Sequence, residues 1–173
     1  MYIKDRCMVY MIDREFNIIH VPHLTFPSTQ GKNSHIKSTI LDGEFVLEND
    51  QGVKRPRYLI FDLIVFNNEK VNLPFSKRLK MVHQELIVPR DSAFSSGTLN
   101  RSKEAFSVRV KQFFEKNRCR QLYERFMKNV THETDGLVFQ PENDLYVSGT
   151  CESCLKWKPD HLNTVDFYLN IQC

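Results

Sequence analysis

The sequence predicts an α+β domain in which antiparallel sheets are flanked by helices. Three observations carry that prediction. Short runs of β-branched, aliphatic and aromatic residues come in pairs joined by polar turns, as antiparallel hairpins require. Two other segments repeat their apolar residues at helical spacing. These segments interrupt strand pairs and do not alternate with single strands, which argues against a parallel doubly wound sheet.

Taken in order, "MVYMI" (8–12) and "FNIIHV" (16–21) read as strands joined by Asp13-Arg14-Glu15. "STILDGEFVLE" (38–48) and "RYLIFDLIVF" (57–66) form a second pair across "NDQGVKRP", whose Asn, Asp and Gly are turn formers. After Pro74, the spacing of Phe75, Leu79, Val82 and Leu86 predicts an amphipathic helix over 75–88. "AFSVRVKQF" (105–113) alternates as a strand does, and Cys119, Leu122, Phe126 and Val130 mark a second helix over 113–130. "GLVFQ" (136–140), "SCLKWK" (153–158) and "VDFYLNI" (165–171) complete the set as strands. Polar connections at 22–38, 89–104 and 141–150 are the places where a binding site would be bordered.

Length fits one domain, and 173 residues are enough to bury a real core. No apolar run is long enough to span a bilayer, so no membrane partner is expected. Lys4, Asp5, Arg6, Asp13 and Arg14 break up any secretory leader. Five cysteines, an odd number, argue against a disulfide framework and for a reducing compartment. Cys151 and Cys154 have no second pair to complete a zinc site and read as plain thiols. The net charge of +3 is unevenly spread, because residues 101–128 hold nine Lys or Arg against three Glu. A solvated helix face is the plainer reading of that run, and an anionic partner is the alternative.

Several strands carry charge where burial would exclude it. Asp42, Gly43 and Glu44 interrupt an apolar strand, which implies either a bulge with solvated acids or close approach of a ligand to the backbone. Asp62 follows Phe61 within another apolar run, and Asp135-Gly136 opens a third. Lys156 and Lys158 flank Trp157, so the two lysines share one strand face and the indole takes the other. They suit a phosphate chain, but spacing alone favours a solvent-facing edge defended by lysines.

The ordered set "LDGEFV", "RYLIFD", "DGLVFQP" and "LKWKP" resembles the strand motifs of the covalent nucleotidyltransferases. "MIDR", "LTFPS", "PRYLIFDLIVFN", "FSVRVKQFF", "THETDGLVFQP" and "LKWKPDHLNTVDF" narrow the resemblance to the guanylyltransferase part of metazoan mRNA capping enzymes, over nearly the whole chain. The fold so implied is the nucleotidyltransferase domain of the ligase and capping enzyme superfamily. The resemblance implies that GTP is the substrate, with Mg²⁺ or Mn²⁺ as cofactor. It places Glu44 on the ribose hydroxyls, with Asp42 and Gly43 shaping its strand and Gly43 letting the nucleotide come close. Phe61 would stack on the purine, Lys111 would meet the guanine edge, and Arg14 would contact the nucleotide. Lys156 and Lys158, either side of Trp157, would grip the α-phosphate. Asp135 is the implied metal contact, with Glu44 as a second candidate.

The same resemblance implies RNA 5′ ends as acceptor, the phosphorylated tail of RNA polymerase II as a further partner, and the nucleus as the place of action. No Lys-x-Asp-Gly occurs in these 173 residues. The nucleophilic lysine is therefore expected upstream of Met1, and the OB-fold domain after Cys173, so that residues 1–173 form a partial nucleotidyltransferase domain. Such a chain is expected to be inactive alone. Two other readings stand beside this one: a non-catalytic binding module for nucleotide, RNA or polymerase tail, and a fragment of an ATP-dependent polynucleotide ligase.

Overall fold

The computed structural model describes residues 1–31, 34–127, 130–132, 134–165 and 167–170. Its centre is one long hairpin of β4 (Thr39–Asp50) and β5 (Val53–Phe66). The turn expected over 49–56 shrinks to Gln51 and Gly52, both at positive φ (50° and 86°). Such a two-residue turn matches the twist of antiparallel strands, which lets pairing run out through the polar residues on either side. A second turn of this kind, at Asn67 and Asn68, leads into β6 (Glu69–Lys70).

On the other side of β4 lies β1 (Tyr2–Asp5), then β2 (Met8–Ile12) and β3 (Ile18–His20). β1 was not legible in the sequence, because its four residues end in charged Lys4 and Asp5 and only Ile3 is fully buried. β3 starts two residues later than expected. Phe16 sits at φ 63°, and the Asp13 carboxylate accepts from the amides of Glu15 (2.8 Å) and Asn17 (2.9 Å), closing a turn there.

The one parallel pairing among the described strands joins β5 to β7 (Ser107–Val110). Antiparallel pairing throughout was expected, so the sheet is mixed. The reason is connectivity: a helix carries the chain back across the sheet between the two strands, and a crossover of that length allows parallel pairing. Among the described residues this sheet holds seven strands in the order β3-β2-β1-β4-β5, with β6 and β7 sharing the far edge of β5.

That helix, α1 (75–95), is α-helical over Phe75–Met81, widens to a π register over Val82–Ile87 and returns to α over Val88–Ser95. It outruns the expected end at 88. Pro89 has no N–H to give to a carbonyl four residues back, and the widened turn lies immediately before it. Helix α2 (116–126) starts three residues later than expected and is also mixed: a 3-10 turn Lys116–Arg118, one α turn Cys119–Gln121, then a π stretch Leu122–Phe126.

A separate hairpin of β8 (Leu137–Phe139) and β9 (Leu155–Trp157) pairs Val138 with Lys156. The strand expected over 165–171 is absent among the described residues of that range. Residues 163–165 and 167–170 lack regular structure, and Asp166 and 171–173 lie outside the described residues.

The core joins β5 to α1. Ile3, Val9, Leu41, Ile60, Leu63, Val82 and Leu86 are buried together. The connection 22–38, expected to be a polar border, instead sends Leu24, Phe26 and Ile36 into this core. A bond from the Ile36 amide to the Phe26 carbonyl (2.8 Å) fixes it there.

Candidate functional site

β5 holds one more residue than β4 between two paired positions. Asp42 pairs with Asp62 and Gly43 with Ile60, so Phe61 has no partner across the ladder. A bulge of this kind re-aims a side chain. It explains how Phe61 and Asp62, adjacent in a strand, both line one cleft of about 150 Å³ together with Asp42, Arg78 and Tyr146.

Gly43 stands at the same bulge. A Cβ there would sit 2.5 Å from the Tyr58 ring and 2.6 Å from the Leu59 carbonyl oxygen. The protein's own Tyr58 therefore packs closely against this glycine. Glu44, the next residue, pairs opposite Leu59 and turns its carboxylate to Lys111, whose Nζ donates at 2.5 Å. Lys111 follows β7 directly, and its amide bonds the Ile60 carbonyl (2.7 Å), next to Phe61. The Glu44–Lys111 pair thus bridges β5 from both neighbours. Both side chains stay about one-third exposed (35% and 37%), which leaves them reachable from solvent.

A second cluster lies on the β8–β9 hairpin. Lys156 Nζ donates to Asp135 Oδ2 at 2.7 Å, and Lys158 Nζ lies 3.7 Å from the same oxygen. The hydrogen bond from Lys156, then the positive charge of both lysines, holds the Asp135 carboxyl below its ordinary range. The two ammonium groups face one point, as expected, and the anion they share here is Asp135. Trp157 faces the other way, edge-on to Tyr123 of α2 (4.9 Å between ring centroids). Gly136 is required beside them: φ is 149°, and a Cβ would collide with the Trp157 carbonyl oxygen.

Arg14 lies exposed in the turn between β2 and β3, and among the described residues it bonds none of the other site candidates. The candidates accordingly fall into three groups: Glu44 with Lys111, Asp42 with Phe61 in the cleft, and Asp135 with Lys156 and Lys158.

Sequence reasoning missed Arg78 and Tyr146. Arg78 is fully buried, with Nε and Nη2 on the two oxygens of Asp62 (2.6 and 2.8 Å) and Nη1 on the carbonyls of Leu73 (2.6 Å) and Asp144 (2.7 Å). The signal was present: Arg78 falls three residues after Phe75 and four before Val82, on the apolar face of α1, while Asp62 sits in an apolar strand. Tyr146 donates its hydroxyl to Asp42 Oδ2 at 3.0 Å. Burial and the Asp42 charge push that hydroxyl well above its ordinary pKa, so it remains a donor at any physiological pH.

The two carboxylates named as candidate metal contacts each face lysine here. Glu44 is taken by Lys111 and Asp135 by two lysines, and among the described residues no three His, Cys, Asp or Glu side chains gather as ligands. A hard cation fits here only with one carboxylate and the remaining oxygens supplied by a phosphate chain and water, a mode natural to magnesium.

Comparison with known proteins places these groups in context. Residues 1–160 match the family described as mRNA capping enzyme, catalytic domain. The mouse mRNA-capping enzyme is 45% identical over 154 residues, covering 88% of this chain and 26% of the mouse protein. Its zebrafish counterpart is 42% identical over 99% of this chain and 29% of its own length. The mRNA-capping enzyme subunit alpha of Schizosaccharomyces pombe is 32% identical over 98% of this chain and 43% of its own length. The chain thus spans between a quarter and a half of the length of these relatives. With the matched region taking in every site candidate, the chain belongs to the mRNA capping enzyme catalytic-domain family.

Proposed function

We propose that this chain is the nucleotide-binding core of a capping guanylyltransferase, of the ligase and capping enzyme superfamily. In the complete enzyme it would hold GTP while GMP passes to the 5′-diphosphate end of RNA. The observation that carries this reading is the convergence of Lys156 and Lys158 on one exposed oxygen. Two ammonium groups held toward one point, on a hairpin open to solvent, suit a phosphate chain whose charge grows during transfer. Phosphate oxygens would replace the Asp135 oxygen at those lysines. The bulged Phe61 offers a face for the purine, Lys111 a donor for guanine O6, and Glu44 an acceptor for ribose hydroxyls.

Released from the lysines, Asp135 would hold Mg²⁺ or Mn²⁺ jointly with the phosphates. Such an ion supplies Lewis-acid stabilisation of the transferring group. Transfer of this type begins when a lysine nitrogen bonds the α-phosphorus and pyrophosphate leaves. Since no Lys-x-Asp-Gly occurs in the 173 residues, we propose that they bind GTP without forming that bond. The basic run around α2 would face RNA or the phosphorylated polymerase tail, and the work would be done in the nucleus, where RNA 5′ ends first appear.

Trp157, the chain's single tryptophan, stands between the two lysines and is a built-in reporter. Titration with GTP and magnesium should change its fluorescence, with ATP weaker, and added salt should lower the affinity steeply. No response to GTP, or equal response to ATP, would sink the guanylyl reading. Stable labelling of this chain by α-labelled GTP would show that another lysine acts as nucleophile.

A further inference from the structure

β8 and β9 have three residues each and form a sheet of their own. An isolated two-stranded hairpin is marginal in water, so something else must set its direction. The loop joining its strands, 140–154, is tied once to α1 and once to the main sheet. Arg78 Nη1 donates to the Asp144 carbonyl (2.7 Å), and Tyr146 donates to Asp42 (3.0 Å). Ser153 Oγ donates to Asp144 Oδ2 (2.6 Å), joining the anchored end of the loop to the residue two before Leu155, where β9 begins.

Arg78 is an unusual anchor. It is wholly buried, and Asp62 alone would neutralise it through two of its nitrogens. The third nitrogen reaches past the helix to the loop. We propose that Arg78, braced by Asp62, is a positioning residue: through Asp144 it fixes the 140–154 loop and hence the direction in which Lys156 and Lys158 present their charges. The inference rests on the phosphate role assigned above to those lysines, and it adds a residue that no sequence motif flagged. A lysine at 78 would keep the charge opposite Asp62, but one ammonium cannot reproduce the planar fork that spans Asp62 and Asp144.

The test uses the 173-residue chain as wild type, Arg78→Lys and Tyr146→Phe, with hydrogen exchange followed by mass spectrometry and calorimetric titration of GTP against guanosine. Guanosine lacks phosphate and reads the purine and ribose contacts alone. In Arg78→Lys, exchange should quicken across 137–157 while 41–47 and 57–64 stay protected. GTP should bind roughly tenfold more weakly or worse, with a clearly smaller loss for guanosine, as expected when charged groups lose their aim. Tyr146→Phe should move both readouts the same way by less. Loss of protection throughout β4 and β5, unchanged exchange in the hairpin, or equal weakening of guanosine and GTP would each overturn the proposal. Should Arg78→Lys fail to fold, Tyr146→Phe decides, and unchanged GTP affinity in it is an overturning result. A wild-type chain that binds neither ligand would instead defeat the phosphate role, while the exchange comparison would still report whether the anchor holds the hairpin.

Discussion

Arg78 and Lys156 each meet a carboxylate, and the two pairs stand at opposite extremes of burial. Arg78–Asp62 is sealed under α1, with side-chain exposures of 1% and 7%. Lys156–Asp135 is open, at 47% and 58%. In the interior both charges have lost their water, so the pair exists only because each guanidinium nitrogen finds an oxygen. On the hairpin water remains, the attraction is screened, and the partners can exchange one another for a ligand at little cost. The buried pair therefore holds shape, and the open pair is free to do chemistry.

Breaking the buried pair should have the largest effect. Asp62→Ala leaves a guanidinium in the core with no counter-charge, and urea unfolding should show a loss of about 3–5 kcal/mol. Replacing both partners with well-packed apolar residues should recover much of that stability, which would confirm that the penalty comes from the orphaned charge. A smaller loss, about 1–3 kcal/mol, is expected for Gly43→Ala, where the new methyl must displace the Tyr58 ring or the Leu59 carbonyl. Thermal melting of that variant checks it.

The open pair should behave in the reverse sense. Lys156→Ala should melt as wild type does, yet bind GTP about tenfold more weakly, the loss typical of one hydrogen bond to a charged group. An equal fall in stability would erase the contrast between the two pairs. The smallest effect is the pH dependence. The folded Asp135 carboxyl lies below its ordinary range, so protons bind more readily to the unfolded chain in that window. Its contribution is complete above the ordinary carboxylate range and fades as pH falls through the lowered value. The Asp135 carboxyl resonance, followed by NMR against pH, should titrate below a reference aspartate and shift upward in Lys156→Ala.

Much of the site was legible because its parts are local. Lys156 and Lys158 share a face by the two-residue period of a strand, wherever that strand lies. The expectation that Asp42-Gly43-Glu44 marks a bulge was met, and the group packed against Gly43 is Tyr58 from the neighbouring strand. Residue type announced that something must fit against Gly43. It held no information about which atom would arrive.

Three of the differences share one cause. β1 depends on pairing with β2 and β4, and β7 on a crossover that returns it beside β5. The 22–38 connection looked polar on average, although three of its side chains complete a core assembled from distant strands. None of these follows from a local window, because each is fixed by partners far along the chain.

The sequence by itself determined the β2–β3 and β4–β5 hairpins, both helical segments, the charged residues within apolar strands and the family to which the chain belongs, since these are matters of period, turn chemistry and ordered motifs. Only the tertiary structure decided that Phe61 is an extra residue of β5, that Glu44 reaches Lys111 across that strand, and that Arg78 belongs to the interior. A side chain's burial and its partner are properties of the packed whole, and a buried charge in particular becomes tolerable only once the opposite charge has been brought beside it.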